Sequence, residues 1–108
     1  MLIFVCCPVT PEKEDKYLTA TIWENQQNAY EYTKEVLETG NAPLTPQLFI
    51  PDYSDKTMLE DERLLKAVLQ MIKKCDDIWV FGSILTQSMK LQLQYAVENS
   101  LHIKFIAE

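Results

Sequence analysis

The sequence predicts an α/β fold, and three observations carry that prediction. Two short, continuous apolar runs, Leu2 to Cys7 and Ile78 to Phe81, have the length and composition of strands buried on both faces. Longer stretches with apolar residues at helical spacing alternate with such runs, and that alternation builds a parallel sheet with right-handed crossovers. A chain of 108 residues, 47% of them hydrophobic, supports one domain with a real but modest core, which association with a second copy would enlarge. The expected architecture is a single three-layer domain over residues 1–108, Rossmann-like or flavodoxin-like, with a small parallel sheet of about four strands and helices on both faces.

The first run is stopped by Pro8 and followed by a charged loop, Pro11 to Lys16. A helix is expected from about Thr19, with Ile22, Ala29, Val36 and Leu37 near one face and Gly40-Asn41 as its stop signal. Leu44 to Ile50 reads as a second strand; Pro46 within it and Pro51 after it suit an edge position, because proline cannot donate to a central ladder. Beyond the acidic loop Pro51 to Lys56, a second helix is expected from about Thr57 to Lys74. It carries Leu65, Val68, Leu69 and Ile72 on one stripe and ends in Lys73 and Lys74, where the helix dipole favours cations. Ile78 to Phe81 is the third strand. Thr86 or Ser88 can cap a third helix whose Met89, Leu93, Ala96 and Val97 form the inward stripe, and Ile103 to Ile106 is a last short strand.

A net charge of −6 and a pI near 4.7 argue against nucleic acid or an anionic membrane as partner, since the protein's own field repels phosphate polymers. Three cysteines, adjacent at Cys6 and Cys7 and distant at Cys75, fit neither a paired disulfide framework nor a zinc spacing, so reduced thiols in the cytosol are expected. Met1 to Val5 is too short for a membrane span and lacks the flanks of a signal peptide, which again points to a cytoplasmic protein.

In parallel sheets of this kind ligands sit outside the carboxyl ends of the strands, where the connections diverge. Those ends are Cys6 to Thr10, Gln47 to Pro51 and Gly82 to Ser88. Several segments around them, Ala42-Pro43-Leu44-Thr45-Pro46, Glu62-Arg63, Cys75-Asp76-Asp77-Ile78-Trp79-Val80-Phe81-Gly82 and Met89 to Ala96, resemble the small phage and bacterial relatives of nucleoside 2-deoxyribosyltransferases. The resemblance covers nearly the whole chain. It implies a nucleoside- or nucleotide-like ligand, no cofactor, and a homodimer or higher homo-oligomer whose neighbouring subunit completes the pocket. It also implies a glutamate on the third helix that attacks the anomeric carbon of the sugar.

This chain departs from that pattern at the position that matters most: Gln92 stands where the nucleophilic glutamate belongs. A carboxylate stabilises an oxocarbenium-like transition state and then forms a covalent ester, whereas a neutral carboxamide does neither well. Ser88 replaces a glycine before Met89, and Gln47 replaces a histidine after Pro46. All three changes favour neutral hydrogen-bonding groups, so the expectation is a binding protein, vestigial or non-catalytic, that contacts its ligand through Pro8, Val9, Thr10, Gln47, Gly82, Ser83, Thr86, Ser88, Met89 and Gln92. Leu91 and Tyr95, away from the inward stripe, are the expected dimer interface, and Trp23 and Tyr30 sit seven apart on the first helix.

The remaining polar residues have plainer readings. Asp76 and Asp77 lie at the entrance of the third strand, the wrong end of the sheet for catalysis, and His102 lies far from the three loops. Arg63 beside Glu60 and Glu62 reads as a solvated cation, the acids from Asp52 to Glu62 as a solvated charge run rather than a metal site, and Cys6 and Cys7 as packed, inert thiols. Lys13, Arg63 and Lys90 are the cations available to a phosphate. Two other functions stay open: an active N-glycosidase or deoxyribosyltransferase using Glu98 or an acid of the Asp52 to Glu62 segment, and a phage or mobile-element factor whose acidic surface blocks a host protein or which sequesters a nucleotide-derived signal.

Overall fold

Alternate residues of the two central strands serve two different cores, and this sets the layers of the molecule. The computed structural model describes residues 1–9 and 18–106. The loop Pro11 to Lys16, with Thr10 and Lys13, lies outside the described residues. Strands β1 (Leu2–Cys6), β2 (Ala42–Leu44), β3 (Asp77–Val80) and β4 (His102–Phe105) form one parallel sheet in the order β2-β1-β3-β4. Ile3, Val5, Cys7, Trp79 and Phe81 turn to one face and pack with Ala29 and Val36 of α1 (Leu18–Glu38). Phe4, Cys6, Ile78 and Val80 turn to the other face. There they meet Met58 of α2 (Asp55–Glu60), Val68 and Ile72 of α3 (Glu62–Lys74), and Met89 and Ala96 of α4 (Gln87–Glu98). The result is the expected three-layer α/β fold with helices on both faces.

The chain leaves β1 towards β2 on one side and later towards β3 on the other, so the connections diverge between β1 and β3. Cys6 is paired with Val80 there, and Phe81 N donates to Cys6 O at 2.9 Å. Gly82 then turns the chain at φ +91°, and a Cβ at this position would stand 3.1 Å from Pro8 Cδ. Glycine alone combines that dihedral with that approach, which keeps the two carboxyl-end loops in contact.

Three expectations are corrected. The second strand is not Leu44 to Ile50: β2 ends at Leu44, and Pro46–Leu48 form a 3₁₀ turn closed by Leu48 N to Thr45 O at 3.1 Å. Pro46 lacks the N–H that a ladder needs but fits the first position of a helical turn. β2 does lie at the sheet edge.

The expected helix Thr57 to Lys74 is two helices. Asp61 takes an extended conformation (φ −95°, ψ 106°) and its Oδ1 accepts from Arg63 N at 2.9 Å and Leu64 N at 3.3 Å, capping α3. A reciprocal Ser54–Thr57 capping box opens α2 earlier than expected.

The inward stripes are also narrower than expected. Val97 and Leu37 are mostly exposed, Leu93 is half-buried, and Ile22 lies at the surface. On α4 the buried positions are Ser88, Met89, Gln92 and Ala96. The polar Gln92 takes an inner place because a hydroxyl waits for it there.

Candidate functional site

At the carboxyl end of the sheet, α2 and α4 begin side by side, and their first turns meet through a carboxylate. Thr86 caps α4, its Oγ1 accepting from Met89 N at 3.3 Å, and donates to Asp55 Oδ1 at 3.0 Å. Ser88 Oγ donates to the same oxygen and lies 3.2 Å from Thr86 Oγ1. Thr86 and Ser88 are both buried, and the half-buried Asp55 is the acceptor that satisfies their hydroxyls.

One turn along α4, Gln92 is only 4% exposed and its Nε2 donates to Tyr53 Oη at 3.2 Å. Burial raises the Tyr53 phenol above its ordinary range, the hydrogen bond from Gln92 pulls the other way, and the charge of Asp55 adds to the rise. Tyr53 therefore stays a neutral hydroxyl that can both accept from Gln92 and donate onward.

Tyr53 also lines a cleft of about 350 Å³, together with Val9, Gln26, Gln47 and Phe49 among others. That volume is at the lower end of small-molecule sites. Gln47, part of that lining, has Nε2 donating to Cys7 Sγ at 3.0 Å and to Pro8 O at 3.4 Å. Tyr53 thus joins the cleft to the buried Gln92. Aromatic and carboxamide side chains contribute to the cleft lining, while two hydroxyls and one carboxylate cluster where α2 and α4 begin.

Of the residues expected to contact a ligand, the fold brings Pro8, Val9, Gln47, Gly82, Thr86, Ser88 and Gln92 to this end of the sheet. Ser83 is exposed on the loop after Gly82. Met89 is wholly buried in the core beneath α4. Leu91 and Tyr95 are half-buried against the core of their own chain, which leaves only part of each side chain for a partner.

Asp76 and His102 lie at the other end of the strands. Asp76 Oδ2 accepts from Leu2 N at 2.7 Å, and His102 Nδ1 lies 3.3 Å from Asp77 Oδ2. Arg63 is exposed beside Asp61. Among the described residues no three His, Cys, Asp or Glu side chains converge as metal ligands, and no helix is long and apolar enough to cross a membrane.

Tyr53 was missed in the sequence, and Asp55 was visible only as one acid of a charge run. The available signal was Ser54-x-x-Thr57, two hydroxyl residues at capping-box spacing, which places Asp55 at a helix start.

All three thiols are buried and reduced. Burial pushes Cys7 from an ordinary 9.0 up to about 12 against the lowering hydrogen bond from Gln47, and Cys75 up to about 11. It raises Cys6 as well, with the neighbouring Cys7 and Asp55 adding to the effect. A group that holds its proton more tightly when folded contributes stability that is whole below its unfolded pKa and is lost as pH rises towards its folded one. Urea midpoints are therefore expected to be flat from neutral pH to about 9 and to fall reversibly above it, as the unfolded chain ionises first. A midpoint that rises across that window would contradict the burial of these groups.

In fold the chain is similar to a 2-deoxyribosyltransferase from the psychrotolerant bacterium Bacillus psychrosaccharolyticus, described as a biocatalyst for the synthesis of nucleosides. The TM-score is 0.63 at 12% identity, over 97% of this chain and 71% of that one. No curated protein matches the chain in sequence. The model of one family, described as a domain of unknown function (DUF7768), matches residues 1–106, and the chain belongs to that family.

Proposed function

We propose that this protein binds a nucleoside or a nucleoside-derived small molecule in the carboxyl-end cleft and holds it without cleaving its glycosidic bond. The observation that carries this reading is Gln92: a neutral carboxamide, buried and tied to Tyr53, on the helix that flanks the point where the strand connections diverge. The planar base would enter the cleft between Gln47, Phe49 and Tyr53, where amides can meet its edge and aromatic rings its face. The sugar would lie towards Ser88, Asp55 and Gln92, whose groups pair with hydroxyls. Similarity of fold to a nucleoside-making enzyme supports the ligand class.

A second reading has its own support. Asp55 is a carboxylate at the same end of the sheet that accepts from two hydroxyls, and an N-glycosidase could use it as the nucleophile. Titration calorimetry with a panel of nucleosides and nucleotides, followed by chromatography for free base, separates the two. Saturable binding with no base released is the expected result. Base release by the unmodified chain that disappears in Asp55→Asn would replace the first reading with the second, and no binding across the panel would end both.

A further inference from the structure

Helix α1 carries three large apolar side chains that its own domain leaves uncovered. Trp23, Tyr30 and Leu37 are 61%, 55% and 62% exposed, and they recur every seven residues along one line of the helix. The residues of α1 that meet the sheet, Ala29 and Val36, lie on a different face. A seven-residue apolar repeat keeps one stripe facing a second helix packed lengthwise, because about two turns separate successive members. We infer that this stripe is the seam of a symmetric dimer in which α1 packs antiparallel against α1 of a second copy, with Tyr30 at the twofold axis and Trp23 against the partner's Leu37.

Three arguments identify a second copy as the occupant. First, the stripe is self-complementary: Trp23 and Leu37 stand the same number of residues from Tyr30 in opposite directions, so reversal superposes a large knob on a smaller one. Second, Glu24, Glu31 and Lys34 share one flank of the stripe, and antiparallel pairing sets that flank against itself, each Lys34 lying between its own Glu31 near the axis and the partner's Glu24. Parallel pairing would set Lys34 against the neutral flank of Gln26 and Thr33. Lys34 is otherwise engaged only in an exposed 3.9 Å pair with Glu31 among the described residues, which costs little to rearrange.

Third, the area suffices. Given the usual size of aromatic side chains, the exposed parts of the three residues amount to roughly 350 Å² per copy. With Gln26, Gln27, Thr33 and Lys34 alongside, the pair buries on the order of 1,000 Å², the threshold of a specific interface. The same comparison disfavours the surface expected from sequence, since Leu91 and Tyr95 on α4 are already half-buried at home.

Sedimentation of the full chain tests this directly. The unmodified protein is expected at twice 12.6 kDa, and Tyr30→Lys, which sets two like charges at the axis, at the monomer mass with an unchanged circular dichroism spectrum. Glu24→Lys and Lys34→Glu should each weaken the dimer several-fold and together restore it. Mild oxidation should link Tyr30→Cys to itself, because the three native thiols are buried and do not compete. Trp23→Cys should stay unlinked, since antiparallel pairing holds the two copies of that residue about 21 Å apart. A monomeric unmodified chain, a dimer indifferent to Tyr30→Lys, or a Trp23→Cys that links as fast as Tyr30→Cys overturns the inference.

Discussion

On the proposed reading, Gln92→Glu is expected to release bases from nucleosides at a rate at least ~10³-fold above that of the unmodified protein. The substitution changes one amide nitrogen into an oxygen and adds a charge, leaving the shape of the side chain almost unaltered. Tyr53 Oη now accepts from the Gln92 amide at 3.2 Å; facing a carboxylate, the phenol would reverse and donate, orienting the new anion towards the space the sugar would fill. Such an anion can stabilise positive charge developing at an anomeric carbon and then form an ester that water opens.

Burial would oppose ionisation of the new carboxyl and the Tyr53 hydrogen bond would favour it, so the activity should rise with pH as that group loses its proton. Single-turnover base release by Gln92→Glu, alone and combined with Tyr53→Phe, is the measurement. The double variant should be slower, because its carboxylate loses its orienting donor. A Gln92→Glu protein that binds nucleosides as well as the unmodified chain and yet frees no base would remove Gln92 from the attacking position.

How far the sequence reveals this arrangement depends on how local each signal is. β1 and β3 are legible because a strand buried on both faces must be apolar at every position, and Leu2 to Cys7 and Ile78 to Phe81 are. β2 is misread because its two prolines support either an edge strand or a turn, and the choice falls to Thr45, whose carbonyl closes the 3₁₀ turn. The break at Asp61 is hidden by periodicity: Met58, Val68 and Ile72 share one core across it, so the apolar pattern runs on while the backbone does not.

The site divides in the same way. Gln92 and Gln47 stand out in the sequence because a resemblance to a known family marks their positions. Tyr53 and Asp55 do not, since each acquires its role from a partner 31 to 39 residues away, Thr86 and Ser88 for the acid and Gln92 for the phenol. No periodicity in the loop from Pro51 to Lys56 encodes that meeting; it follows from the packing of α2 beside α4.

Phe81→Ala is expected to remove about 3–5 kcal/mol of stability, a large part of what a small domain possesses. Phe81 is almost wholly buried and stacks on Tyr32 with ring centroids 4.6 Å apart and planes 18° from parallel. That contact fastens α1 to the residue that follows β3, on a face where α1 is the only α-helix packed among the described residues, so a void there has few neighbours able to close it. Phe81 also directly precedes Gly82, whose turn lies against Pro8, and loss of the ring would loosen both walls of the crevice. Phe105→Ala removes the same side chain from a surface position at 65% exposure and should cost less than about 1 kcal/mol. Urea unfolding of the two variants gives the comparison: similar midpoints would mean that the α1 layer is not held to the sheet through Phe81, and a selective loss in Phe81→Ala, with nucleoside binding weakened in parallel, would tie the stability of that layer to the geometry of the site.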